Sequence, residues 1–278
     1  MIISSLCFAF MSASVKQAGS LSFIQKVLFR NMVMVIAVLP VLLKKSVKAG
    51  NQVLIGKPEN RPKLVMRSLF GFFGVLCYFV SIERLNLGDS AMLNKMSSFF
   101  VIILSAIFIG DKIKFYHIPA LIAAFAGTLL IIKPGFDVSP LPAVIGLTGA
   151  LLAAGAYTSI ASLKGQEDSL TIILWFSVIS TVISLVPAII MWQQPTGLEF
   201  IALIGTGVFA AGGQYFLTKA YSYGKAGEIS IYNYTQVFFS VLISFIVWND
   251  IPDALSITGS ILIIAAAVGL YLKGRKTS

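Results

Sequence analysis

One histidine, His117, and two cysteines, Cys7 and Cys77, are all that this 278-residue chain offers toward a soft-metal site or a disulfide. The cysteines lie in separate apolar runs without CxxC spacing, so a zinc site, a redox pair and a structural disulfide are not expected, and both read as buried, inert thiols. Charge is equally scarce. Asp, Glu, Lys and Arg together make up 12% of the chain, roughly half the fraction of a soluble domain. No GxxxxGK[ST] run is present, which excludes ATP hydrolysis by a P-loop. Neither a metal-ligand cluster nor a nucleophile beside a base can be assembled, so the chain is not expected to be an enzyme and no cofactor is expected.

Apolar sequence fills the space left by these absences. Hydrophobic residues account for 57% of the chain, and the mean hydropathy is +0.90. So few polar residues cannot clothe a water-exposed surface, and most of the chain must face lipid or other helices. A helix needs about 20 apolar residues to cross a bilayer. Ten such stretches are legible: 1–18, 22–43, 65–84, 88–109, 115–133, 141–162, 170–191, 198–218, 228–248 and 254–272. Turn chemistry separates them, as in Ala18-Gly19-Ser20, Lys133-Pro134-Gly135, Gln194-Pro195-Thr196-Gly197 and Tyr223-Gly224-Lys225-Ala226-Gly227. The stretch 44–64 is the one long polar loop and reads as a linker with little structure of its own. The first run lacks the basic start of a secretory leader and reads as a span, with a longer natural N-terminus left open.

The formal charge of +10 does not point to nucleic acid, because no continuous basic face is visible. Lys44, Lys45, Lys48, Lys57, Arg61, Lys63 and Arg67 crowd between two spans, and Lys273, Arg275 and Lys276 close the chain. Cytoplasmic loops accumulate Lys and Arg, so both termini are placed in the cytoplasm of a multi-pass protein of the cytoplasmic membrane. The opposite side then holds only Lys16, Lys26, Arg84 and Lys133.

Slid against itself by 139 positions, the sequence superposes Gly74 on Gly213, Gly88 on Gly227, Asp89 on Glu228 and Asn94 on Asn233. The pairs Phe99 and Phe238, Phe100 and Phe239, Ser105 and Ser244, and Asp111 and Asp250 follow in register. The boundaries drawn from this are 1–138 for a first five-helix repeat and 139–278 for a second. Five spans is an odd number, so the second half inserts upside down. The fold class is therefore all-α integral membrane, with ten transmembrane helices in two inverted-topology five-helix repeats. Secondary transporters are built this way, with the substrate site where the repeats meet.

Polar residues inside spans mark that site. Arg30 and Lys95 are cations at costly depth, about 12 Å and about 10 Å from their helix starts at 1.5 Å per residue. They are expected to line one outward-opening cavity, the alternative being a snorkelling Lys95 and an Arg30 that fastens backbone. The only carboxylate near either at helical spacing is Asp89, which favours an anionic or zwitterionic ligand. Asn94, Ser98 and Ser105 share one helical face; the mate span carries Asn233, Tyr234, Gln236, Ser240 and Ser244. Tyr157, Gln214 and Tyr215 complete the candidates, while interhelical packing is the competing role for each amide and hydroxyl. Asp89 and Glu228 read as helix-start carboxylates. No Asp or Glu lies deep in a span, which disfavours proton coupling through an embedded carboxylate.

The stretch 93–113, LNKMSSFFVIILSAIFIGDKI, resembles the fourth helix of the drug/metabolite transporter superfamily, EamA type, and the resemblance covers nearly the whole chain. Arg67-Ser68-Leu69-Phe70-Gly71 is similar to the family's third-helix entry, and Phe29-Arg30 to a second-helix motif of some members. The resemblance implies ten spans in two inverted repeats and outward movement of amino acids, nucleotide-related compounds, sugars or other small metabolites. The family often has proline where Ser98 and Val237 stand, so a kink there is not secured, and glutamate where Asp111 and Asp250 stand, so the carboxylate is retained. The leading expectation is a secondary transporter that exports or exchanges a small polar or anionic, amino-acid-like metabolite by alternating access. Its partners are that small molecule and the lipid bilayer, and its oligomeric state is open, a monomer being compatible. The competing class is a non-transporting membrane scaffold or receptor.

Overall fold

Repeat mates run in opposite directions. The computed structural model describes residues 1–19, 21–50, 52–110, 117–132, 140–163, 165–223, 234–249 and 252–276, and among them every regular element is a helix. In chain order these are α1 Ile2–Gln17, α2 Phe23–Ala49, α3 Gln52–Ile55, α4 Arg61–Arg84, α5 Leu87–Lys95, α6 Ser97–Phe108, α7 His117–Ile132, α8 Leu141–Ser162, α9 Ser169–Ile190, α10 Gly197–Tyr223, α11 Thr235–Trp248 and α12 Ala254–Lys276, with a 3₁₀ turn at Pro58–Asn60. Helix α3 is a single turn between spans, and α5 with α6 makes one crossing, which leaves ten transmembrane helices. Six are long and apolar enough to cross a bilayer, and α1, α7, α11 and α12 supply shorter apolar segments. Large apolar side chains such as Ile36, Ile122, Val182 and Ile190 remain exposed, as lipid-facing residues must.

Helix starts follow local chemistry. Thr196 and Glu199 form a capping box: the Glu199 carboxylate accepts the Thr196 N–H at 2.8 Å, and Thr196 Oγ1 accepts the Glu199 N–H at 3.3 Å. Asp168 caps α9 through Leu170 N–H, and Asp253 caps α12 through Leu255 and Ser256 N–H.

Helices α2 and α9, the second span of each repeat, pack along one another. Gln25 at the start of α2 exchanges hydrogen bonds with the backbone of Gln193 just beyond the end of α9, at 3.0 and 3.1 Å. At the other end Lys45 pairs with Asp168, where α9 begins. The two mates are thus antiparallel, which is the inversion that five spans per half require. Packing elsewhere obeys the same exchange: α4 lies on α8 as α10 lies on α1, α4 on α9 as α10 on α2, and α7 on α12.

The repeat-matched glycines explain how two of these crossings become close. A Cβ on Gly74 of α4 would stand 3.2 Å from Ala153 N and 3.3 Å from Gly149 O of α8. Its mate Gly213 of α10 faces the Phe8 ring of α1, where a Cβ would approach to 2.8 Å, and its carbonyl accepts Ser4 Oγ–H at 2.7 Å. Small residues here let backbones approach, the usual device for packing helices in lipid.

Two expectations are corrected. The stretch 44–64 is structured: α2 runs on to Ala49, and α3 and the 3₁₀ turn follow. Polar ties to the α8–α9 connection and the start of α9 hold it, since Glu167 Oε1 accepts Lys57 N–H and Asn60 Nδ2–H at 2.9 Å, and Thr171 donates to Val53 O. Nor do Asn94 and Ser98 share one continuous helical face. The fourth span breaks at Met96, whose N–H turns back to Leu93 O at 3.1 Å while its own carbonyl takes Phe99 and Phe100 N–H at 3.0 Å. That three-residue tightening rotates α6 relative to α5 without any proline. Expectations for Asp111, Gly227, Glu228, Asn233 and Asp250 concern positions outside the described residues.

Candidate functional site

The break at Met96 leaves Lys95 as the last residue of α5, buried at the centre of the bundle. It lines a cavity whose water-accessible interior measures about 70 Å³, room for roughly five waters at 10–15 Å³ each. Both repeats build the walls. Phe8 and Met11 come from α1, Arg30 from α2, Arg67, Gly71 and Tyr78 from α4, and Asn94 and Lys95 from α5. The second half contributes Tyr157 from α8, Phe176 from α9, Gln214 from α10 and Gln236 from α11.

One wall is cationic. Arg30 and Arg67 are each 2% exposed and converge on Phe176, their guanidinium carbons 5.2 and 4.3 Å from its ring centroid. The ring's π face offsets some of the cost of burying them, about 0.5–2 kcal/mol per contact. Arg30 Nη1 donates to Asn31 Oδ1 at 3.0 Å, and Asn31 is itself held by a 2.8 Å bond to Val27 O. Arg30 Nε, Arg67 Nε and Arg67 Nη1 are buried donors without a hydrogen-bond partner among the described residues. Glycine one turn along α4 makes Arg67's position possible: a Cβ on Gly71 would lie 2.3 Å from Arg67 Nη1 and 2.9 Å from Phe176 Cε2.

The other wall is neutral and hydrogen-bonded. The Tyr78 hydroxyl pairs with Ser12 Oγ at 2.9 Å and accepts Gln236 Nε2–H at 3.2 Å, joining α4, α1 and α11. Gln214 Nε2 makes only a 3.4 Å contact with Thr218 Oγ1, so its amide has capacity left. Among the described residues the lining includes no Asp or Glu and three cations.

Both ends of the bundle are fastened. At the end where α2 starts, Lys26 Nζ pairs with Glu83 Oε1 at 2.6 Å and donates to Gly19 O at 2.9 Å. At the other end lie the Lys45–Asp168 pair and the Glu167 ties.

Of the residues singled out in the sequence, Arg30, Asn94, Lys95, Tyr157, Gln214 and Gln236 meet in this cavity. Ser98 falls beyond the break and does not line it, and Tyr234 packs in a core with Met92, Leu93 and Val237. Tyr215 is 39% exposed, stacked edge-on against Phe216 with Lys219 over its ring. Asn233 is outside the described residues. The sequence reading missed Arg67, Phe176 and Tyr78. Arg67 was counted with the basic loop; the signal that separates it is Gly71 at i+4, a gap on the same face into which its long side chain folds.

The comparisons agree with this architecture. The model of the EamA-like transporter family matches residues 1–133 and again residues 141–272. The pseudopaline exporter CntI of Pseudomonas aeruginosa is 31% identical over 275 residues, covering 97% of this chain and 93% of that protein. Solute carrier family 35 member G1 of Homo sapiens is 25% identical over 291 residues, covering 98% and 78%. A Helicobacter pylori protein described as an uncharacterized transporter is 26% identical over 282 residues, covering 98% and 93%. A crystal structure superposes with a TM-score of 0.70 over 98% of this chain and 96% of that one, at 16% identity, a likeness of fold alone. With ten helices in two inverted repeats and a family match that recurs once in each half, the chain belongs to the EamA-like transporter family and is a membrane transporter.

Proposed function

We propose that this protein exports a small polar or anionic metabolite across the cytoplasmic membrane by alternating access, with both termini in the cytoplasm. The observation that carries the reading is a cavity lined by both repeats, where Arg30, Arg67 and Lys95 of the first meet Tyr157, Gln214 and Gln236 of the second. Cations inside a membrane protein are retained where they meet a substrate or a partner, and a site between inverted repeats is reachable from either side as they rock. The repeats 1–138 and 139–278 are the moving units. The fasteners between the repeats are the contacts such a cycle must break in turn: Gln25–Gln193 at one end, Lys45–Asp168 and Glu167–Asn60 at the other. Export is favoured over uptake by the name of the pseudopaline exporter, and the sequence segments read as cytoplasmic carry 14 basic residues once Arg67 is excluded.

The test is protein-dependent movement of metabolites. Purified protein in liposomes loaded with a mixed pool of amino acids, organic acids, sugars and polyamines should release at least one of them, as read by mass spectrometry of the outside medium. Release equal to that of empty liposomes would support the scaffold or receptor class instead.

A further inference from the structure

Resting on that reading, we infer that the cargo is a short dicarboxylate, each of whose carboxylates engages one of the two guanidiniums beside Phe176.

Three features of the cationic wall lead there. First, Arg30 and Arg67 come from different helices yet flank one ring of the opposite repeat, so a single compact molecule can touch both. Second, the donors without partners are divided between them: Nε on Arg30, and Nε with Nη1 on Arg67. Buried donors of charged groups are costly when unmade, and a guanidinium presents adjacent N–H groups in the fork that matches a carboxylate's two oxygens. A monocarboxylate satisfies one fork and leaves the other bare. Third, no acidic side chain lines the cavity among the described residues, and a ligand can supply compensating charge at that wall. The length limit comes from the geometry: both guanidinium carbons lie within 5.2 Å of one ring centroid, so a short chain is enough to place a carboxylate at each. The Gln214 amide, which also lines the cavity, can meet the chain's polar substituents.

Phosphate esters present two negative charges on one tetrahedral group. They would crowd both charges against one fork, so two separate planar groups fit the divided donors better. The probes distinguish the cases.

Purified full-length protein is heated with succinate, glutarate, glycerol phosphate, butyrate, succinamide or putrescine at millimolar concentration. Succinate or glutarate should raise the melting temperature of the wild type, and butyrate and succinamide should not. Arg30→Met and Arg67→Met should each weaken the dicarboxylate at least tenfold, with Arg67→Lys intermediate. Gly71→Ala, which displaces the Arg67 guanidinium without removing it, should weaken binding as well and serves if either Met variant fails to fold. A larger shift with glycerol phosphate, butyrate or putrescine overturns the dicarboxylate, as does no shift with succinate and glutarate, or an equal shift in Gly71→Ala and wild type. The loaded-liposome assay separates the two levels. Release of some other compound sinks the dicarboxylate and keeps the carrier, whereas release of nothing sinks both.

Discussion

Replacing Gly71 with alanine separates the cavity's architecture from its chemistry. In the native helix a Cβ at this position would lie 2.3 Å from Arg67 Nη1 and 2.9 and 3.0 Å from two Phe176 ring carbons. No real pair of atoms tolerates 2.3 Å, so something must move. The atom in the way is the far end of a flexible side chain, and the guanidinium swings aside. Alanine in mid-helix gains about 1 kcal/mol over glycine. Against this stand about 0.5–1.5 kcal/mol for an unfavourable rotamer and about 0.5–2 kcal/mol for the weakened contact with Phe176. The net cost is about 0–2.5 kcal/mol, and the variant should melt at most several degrees below wild type. Transport should nonetheless fall about tenfold or more, because the displaced guanidinium no longer holds its place in the cavity wall.

Gly207→Ala supplies the contrast. There a Cβ would meet Val33 Cβ at 2.4 Å and both its γ-carbons within 2.9 Å. Valine is stiff at χ1 and its Cβ is fixed to the backbone, so α2 and α10 must part, at about 1–3 kcal/mol for overpacking. This variant should lose stability and transport together. Melting by intrinsic fluorescence in detergent and efflux from liposomes give the two readings. Full transport by Gly71→Ala at unchanged stability would refute the role assigned to Arg67.

The fastener at the α2 start can be tested by charge removal: Glu83→Gln leaves the wholly buried Lys26 without its carboxylate and should cost about 1–3 kcal/mol, reduced from the fully buried case because Glu83 is partly solvated. The double change Lys26→Met with Glu83→Gln should recover part of that loss, and additive losses would show the pair is not coupled. Tyr78→Phe breaks the bridge between α1, α4 and α11 and should lower stability by about 1 kcal/mol, read as a fall in melting temperature. In a chain with Cys7 and Cys77 replaced, a cysteine at exposed Gln194 should label from outside intact cells and one at exposed Glu59 should not; the reverse pattern would invert the proposed orientation.

Span number, inversion and the repeat are legible in the sequence because they rest on composition and arithmetic. Twenty apolar residues make a crossing wherever they occur, and five crossings invert a repeat whatever packs against it. Gly74 and Gly213 are legible for the same reason, since two glycines at one offset imply one job done twice. The helix break is harder to read. Met96 has no proline beside it, and the i−3 bond that turns the span there is a choice of backbone made by the surroundings. Reading the span as one unbroken helix put Ser98 on the same face as Asn94. Arg67 is the deeper miss. Charge counting treats a cation six residues into a helix as part of the preceding loop, and only the void over Gly71, visible once α4 is set against Phe176, shows which way the side chain goes. Phe176 itself carries no signal, being one aromatic in a run of apolar residues next to the more conspicuous Trp175, which packs with Tyr157 near Leu64 and Ile172.

The fold is symmetric between the repeats, but the cavity is not. At the offset that superposes Gly74 on Gly213, Arg67 falls on Thr206 and Lys95 on Tyr234. All three cations of the cavity come from the first half, while the second contributes Tyr157, Phe176, Gln214 and Gln236. Symmetry of backbone is what an alternating cycle needs, because the inward and outward arrangements are then near mirror images in energy. Symmetry of charge would be a hindrance: a second cationic wall facing the first would repel it across a low-dielectric gap, where like charges interact far more strongly than in water. Placing every cation on one repeat removes that repulsion and lets an anion remain against the same wall while the neutral wall shifts. Phe176 gives Arg30 and Arg67 a cross-repeat attraction from a ring that carries no charge. Phe176→Leu should therefore keep most of the packing volume, leave Arg30 and Arg67 without that contact, and reduce transport more than stability. An equal fall in both would mean that the ring is filler and that the asymmetry serves no purpose in the cycle.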